Sequence, residues 1–245
     1  MKIAIWDWHA DEFDRINHYV KGDRYIGDMP PANYDLLIAP DGTWLNMIQD
    51  KSNVIVYPCV KDIDHIKALG YTRAFTKDKE QTDKWGEGAI CLPPLMNVEP
   101  KGYTKDIMVS SIVHNFKERD PKGYAITKDY DVRNYGFPDN PTWSAESIIE
   151  MSRFILHAKH VGYLCNVVIK AISLGTPCIF TPESFTFGYK DYITPNHDCF
   201  IVNTKQEFMD IVNMGEDRYS EVLKNLKETK EKLTNESRSI TNIKY

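Results

Sequence analysis

The chain has 245 residues, 42% hydrophobic and 27% charged, with 30 Lys and Arg against 35 Asp and Glu for a formal net charge of -5. That length can bury the core of one large domain or two small ones, no apolar run approaches the ~20 residues of a membrane span, and the acidic balance gives no general affinity for polyanions. The five cysteines form no C-x-x-C pair, which argues against a disulfide framework or a thiolate zinc site and makes them small buried hydrophobes.

The N-terminal stretch "MKIAIWDWHADEF" has an apolar run too short for a secretory signal and is broken by Asp7 and His9, so a cytoplasmic protein is expected. Short β-branched and aromatic runs follow in order: "KIAIWDW", "YDLLIAP", "NVIVYP", "RAFTK" and "AICLPP". Helical stretches "TWLNMIQDK", "IDHIKALG" and "KEQTDKWG" separate the later ones. Such alternation makes a parallel sheet with helices on its faces, and residues 1–100 are expected to form one Rossmann-like unit.

A loop rich in Pro, Gly and charge, "PPLMNVEPKGYTKD", interrupts the rhythm, and the boundary is expected between Pro94 and Asp106. Strand patterns then restart with "IMVSSIV", "YDVRNYG", "FILHA", "TPCIF" and "CFIV", with "AESIIEMS" and "LCNVVIKAISLG" as helices. Residues 101–215 form the second expected Rossmann-like unit. The segment 216–245 contains "EDRYSEVLKNLKETKEKL", an amphipathic helix expected to pack back toward the N-terminal domain. Two such units imply a facing cleft, and parallel sheets bind ligands at the carboxyl ends of their strands.

The stretch "VVIKAISLGTPCIF" predicts a helix closed by Gly175 in a left-handed conformation and followed by a buried strand. Its start, with Gly162, Tyr163 and Asn166, then offers unpaired backbone N–H groups and the positive end of a helix dipole. An anion, typically a phosphate, is favoured there.

The order "GTP", short strand, variable loop, "NHDCFIV", helix resembles that of nucleotide-sugar glycosyltransferases with two Rossmann-like domains, the GT-B type. Element by element, "NYDLLIAPDGTWLN", "NVIVYPCVKDI", "DIMVSSIVHNFKERDPKGY" and "YDVRNYGFP" are similar to segments of phage enzymes that glucosylate hydroxymethylated bases of DNA. The resemblance implies an α/β GT-B fold, a nucleotide-sugar donor such as UDP-glucose, and hexosyl or pentosyl transfer without a metal or other cofactor. It also implies a double-stranded DNA acceptor and a monomer or weak oligomer, with no membrane partner. A transferase acting on a polysaccharide, lipid or protein, and a noncatalytic nucleotide-binding protein, are the alternatives.

Charge on the departing diphosphate must then be met by cations and helix ends. The resemblance puts Lys117 and Arg119 where two arginines hold the diphosphate in the phage enzymes, and Lys122 lies on the same turn. Lys170 departs from the family pattern, which has a ribose-holding glutamate there; Glu183 is the candidate substitute. For the general base the resemblance points to Asp62, with neighbouring Asp64 as rival or helix cap. Asp7 and His9, after the first strand, are further candidates. Trp6, Trp8 and Trp44 can stack a base or a sugar, or simply pack. No metal site is expected, His157 and His160 being the one pair with ligand-like spacing.

Overall fold

The computed structural model describes residues 1–245 except 8–9, 29–30, 32, 59–62, 114, 136–143, 158–164, 186–187, 241–242 and 244–245. The chain divides into two α/β units, Met1–Pro94 with Glu236–Tyr245, and Leu95–Asn235.

In the first unit, strands β1 (Ile3–Trp6), β2 (Asp23–Tyr25), β3 (Leu36–Pro40), β4 (Val54–Tyr57), β5 (Ala74–Thr76) and β6 (Ala89–Cys91) lie in the order β2-β1-β3-β4-β5-β6. Every pairing is parallel. All residues of β1, β3 and β4 are buried, because helices cover both faces and an unbroken apolar run suits neither edge nor surface. The helices are α1 (Ala10–Val20), α2 (Ile63–Ala68) and α3 (Lys79–Trp85). Asp78 starts α3 by accepting the Gln81 N–H, and Gly86, at φ 80°, ends it.

Two differences from the sequence reading stand out here. Helix α1 was not among the predicted helices: Ile16, Tyr19 and Val20 are buried, but so are Glu12 and Arg15, and those charges interrupt the apolar stripe. "TWLNMIQDK" contains a 3-10 turn over Thr43–Met47 instead of an α-helix. The Leu45 carbonyl accepts from the Tyr71 hydroxyl at 2.7 Å, a partner outside the turn.

In the second unit, β7 (Ile107–Ser111), β8 (Val132–Asn134), β9 (Ser152–His157), β10 (Cys178–Phe180) and β11 (Cys199–Ile201) lie in the order β11-β10-β9-β7-β8, again all parallel. The helices are α4 (Phe116–Arg119), α5 (Pro121–Thr127), α6 (Ala145–Met151), α7 (Asn166–Ser173), α8 (Lys205–Val212) and α9 (Glu216–Ser239). One face of the sheet packs Val109, Phe154 and Leu156 against Ile126, Phe208 and Tyr219. The other packs Ile155 and Phe180 against Ile149, Val168 and Leu226. The apolar stripe of α9 is thus spent on the second unit's two cores, Leu233 included. Beyond it, Ile240 and Ile243 pack against the first unit's core.

Gly175 closes α7 at φ 68°, a value that costs a side chain strain but not glycine. The Thr176 N–H reaches the Ala171 carbonyl at 2.8 Å, satisfying the helix end and launching β10. Strand order reverses between β1 and β3 in the first sheet and between β7 and β9 in the second. At such a reversal the connections diverge to opposite sides and leave a crevice outside the carboxyl ends.

Candidate functional site

Because the second sheet is parallel throughout, the last residues of its strands share one edge: Ser111, Asn134, His157 and Phe180, with Thr181 just beyond. The chain leaving β7 enters a basic turn that begins at Asn115, in a left-handed conformation at φ 51°, which Asn tolerates better than most residues. Phe116 is buried and meets the Tyr124 ring edge to face at 5.8 Å, anchoring the turn from below. Asp120 is 2% exposed. Its carboxylate accepts the Gly123 N–H at 2.7 Å and the Thr181 hydroxyl at 2.9 Å. One residue therefore caps α5 and fastens the basic turn to the end of β10. Thr181 is held in turn by Ser184, whose hydroxyl accepts the Thr181 N–H at 2.8 Å.

This frame presents the exposed side chains of Lys117, Arg119 and Lys122. The Lys117 ammonium lies 5.8 Å from the Tyr124 ring centre. Lys122 pairs with Glu183 at 2.9 Å. Two residues expected to contact a donor are brought together, but as each other's partner. Lys170 likewise turns to a neighbouring helix and meets Glu146 at 2.5 Å. Burial pushes the Glu146 carboxyl up, yet the Lys170 ammonium and its hydrogen bond hold it below its ordinary value. The Lys170 charge is thus neutralised by α6.

Asn166 is the first residue of α7 and is half-buried. Just before it, the Cys165 N–H donates to the Tyr189 hydroxyl at 3.3 Å, and that hydroxyl shares a 3.0 Å hydrogen bond with His157 Nε2. His157, 2% exposed, is thereby tied to the start of α7. Gly162 and Tyr163 lie outside the described residues, as do Trp8, His9, Asp62 and His160.

A cavity of about 330 Å³ opens beside the basic turn, walled by Phe116, Tyr124 and Tyr130, with Asn115, Asn134 and Lys117 among its polar lining. Sequence reasoning missed it, since aromatic residues on a short helix look the same whether they line a cavity or fill a core.

In the first unit, Asp7 directly follows β1 at the strand-order reversal. Its side chain is 6% exposed and ion-paired with Arg24. Oδ2 accepts from Arg24 Nε at 2.6 Å, while Oδ1 is buried with no hydrogen-bond partner. The Arg24 guanidinium also lies 5.2 Å from the Phe13 ring centre. Lys77, beyond β5, is buried and paired with Glu12, which also pairs with buried Arg15. Asp64 is inside the first turn of α2, three-quarters exposed and 3.3 Å from Lys84; it is a surface ion pair and not the cap. Trp6 is 3% exposed, 5.6 Å from the Trp44 ring, with its N–H donated to the Gly27 carbonyl. Its role is packing. Among the described residues, no group of three or more His, Cys, Asp or Glu could hold a metal ion, and no helix is long and apolar enough to cross a membrane.

No family model matches the chain, and no curated protein matches it. Solved structures do match. HepE of Anabaena, in complex with UDP and glucose, has a TM-score of 0.65 at 10% identity, covering 98% of this chain and 98% of that one. An alpha1,3-fucosyltransferase with GDP-fucose has a TM-score of 0.55 at 11% identity, covering 100% and 91%. TarM has a TM-score of 0.60 at 11% identity, covering 85% of this chain and 55% of that one, so this chain spans about half of TarM. The two parallel α/β sheets are therefore the GT-B fold of nucleotide-sugar glycosyltransferases. None of the structures named here is a DNA glucosyltransferase.

Proposed function

We propose that this protein is a glycosyltransferase that takes a sugar from a nucleotide-sugar donor, a UDP-sugar first among them, and transfers it to a hydroxyl acceptor. The observation that carries the reading is the basic turn. Asp120 fastens it to the end of β10, so Lys117, Arg119 and Lys122 stand at the carboxyl edge where a parallel sheet binds its ligand. Cations there meet the charge that grows on the diphosphate as the sugar bond breaks, the work a metal would otherwise do. The adjoining cavity is the natural berth for the nucleoside. UDP and GDP-fucose in the matched structures support a nucleoside diphosphate as the common part of the donor.

The base that removes the acceptor proton comes from the carboxyl edge of the first sheet. Asp62 is the candidate from resemblance, and His9 is a second from its place after the first strand in the sequence. Asp7 has support from its environment: Arg24 orients one carboxylate oxygen and the other lacks a partner.

For the acceptor, hydroxymethylated DNA would require phosphate-binding cations on that edge. The described ones are engaged, Arg24 by Asp7 and Lys77 by Glu12. This favours the hydroxyl of a saccharide, lipid or protein acceptor. Calorimetric titration with UDP, GDP and a panel of nucleotide sugars, followed by hydrolysis assays without acceptor, tests the donor reading. Micromolar binding of one nucleotide with slow release of its sugar is expected. Binding without turnover under any acceptor would identify a noncatalytic nucleotide-binding protein, and no binding would overturn both. Sugar transfer to hydroxymethylated DNA, falling steeply with salt, would restore the DNA acceptor.

A further inference from the structure

Of the described polar side chains Ser111, Asn134, His157 and Thr181 along the carboxyl edge of the second sheet, three have partners and one does not. Asn134 is engaged, His157 meets Tyr189 and Thr181 meets Asp120. Ser111, the last residue of β7, is 0% exposed and its hydroxyl has no hydrogen-bond partner. Its backbone is in order, with the carbonyl accepting the Tyr135 N–H at 2.7 Å. The preceding serine, Ser110, shows what a structural hydroxyl does in this sheet, for it bonds Ser152 at 2.6 Å.

A buried hydroxyl without a partner lowers stability, and nothing in a strand calls for serine over alanine or valine. Ser111 also stands on the β7 side of the strand-order reversal. The alternation of side chains along a strand puts it on the face of Val109, where the packed cluster includes Val113 and, from the basic turn, Phe116. The turn that carries Lys117 and Arg119 thus belongs to the same local packing that encloses Ser111.

We propose that Ser111 is a donor-binding residue, whose hydroxyl gives its hydrogen to a phosphate oxygen of a nucleoside diphosphate once the stretch 115–119, ahead of the Asp120 fastening, shifts to admit it. A phosphate is the acceptor because the exposed charges of the turn are cationic on balance, with Lys117, Arg119 and Lys122 against Glu118. The inference rests on the donor reading above.

The test compares Ser111→Ala and Ser111→Thr with the wild-type protein. Two quantities are measured for each: the thermal midpoint without ligand, and affinities for UDP and uridine, or GDP and guanosine. A ligand contact predicts a midpoint held or raised in the alanine variant, because the unmet hydroxyl is gone. It predicts UDP affinity lowered roughly ten- to a hundredfold, the scale of a hydrogen bond to a charged group, with uridine affinity unchanged and most UDP affinity kept by threonine. UDP binding by Ser111→Ala equal to wild type overturns the proposal. So does a fall in the midpoint accompanied by equal losses of UDP and uridine, which marks a structural serine. If the wild-type protein binds neither nucleotide, the donor reading itself fails and this inference with it.

Discussion

Replacing Glu183 with Gln separates two opposite roles for one carboxylate. Lys122 Nζ and Glu183 Oε1 are 2.9 Å apart, with 43% and 50% of their side chains exposed. Unit charges at that spacing attract by about 1.4 kcal/mol in bulk water, and measured exposed pairs retain about 0.2–1 kcal/mol after entropy and screening. If Glu183 is the resting partner of Lys122, a diphosphate must displace it to engage that cation. The Glu183→Gln variant then binds UDP more tightly by that same 0.2–1 kcal/mol, about 1.4- to 5-fold. The gain should shrink with added salt, since exposed charges are screened. Calorimetric titration of UDP at low and high salt measures it, with Lys122→Ala as the control that loses affinity whatever Glu183 does. A tenfold or greater weakening by Glu183→Gln would refute the reasoning and give the carboxylate a direct contact with the donor.

Lys117→Ala or Arg119→Ala should each lose about 1.5–3 kcal/mol of donor or transition-state binding, read as UDP affinity and as kcat/KM; wild-type values in both variants would move the site. Asp62→Asn or Asp7→Asn, whichever removes the base, should lower the transfer rate about 10²–10⁴-fold while UDP affinity survives, and full turnover by either clears that residue. The Lys105 ammonium donates to the Ser152 carbonyl and the Thr176 hydroxyl. Burial pushes its pKa down, against the pull of Glu150, to about 8 from an ordinary 10.5. The unfolded chain therefore holds this proton when the folded one has released it, so stability rises as pH climbs from about 8 toward 10.5. Because Lys105 as a whole residue is exposed, the rise is at most about 1 kcal/mol. Denaturant midpoints between neutral pH and pH 9 should show it, and Lys105→Met should abolish it.

Much of the fold was legible because burial is written locally. Unbroken apolar runs such as "LLIAP" and "VIVY" can only be strands covered on both faces, and Gly175 marks a helix end because the αL position there costs glycine nothing. The same logic failed at α1, where Glu12 and Arg15 occupy buried positions that the pattern reserves for apolar residues. What made those charges tolerable is Lys77, 65 residues beyond Glu12, and no local pattern announces a partner that far away.

The candidate site divides in the same way. The basic turn, its cations and the following α7 start were visible as residue types and spacing. Which cation meets which anion was not. Lys122 reaches Glu183 across 61 residues because Asp120 fastens the turn to the end of β10, and Lys170 reaches Glu146 because α6 and α7 pack on one face. Ser111 is the extreme case: its sequence context is that of any buried strand end, and only the strand order, with β9 beside β7, puts it at the reversal. Local periodicity determines which side chains are buried; strand order, which depends on pairing between residues far apart in the chain, decides what those side chains meet.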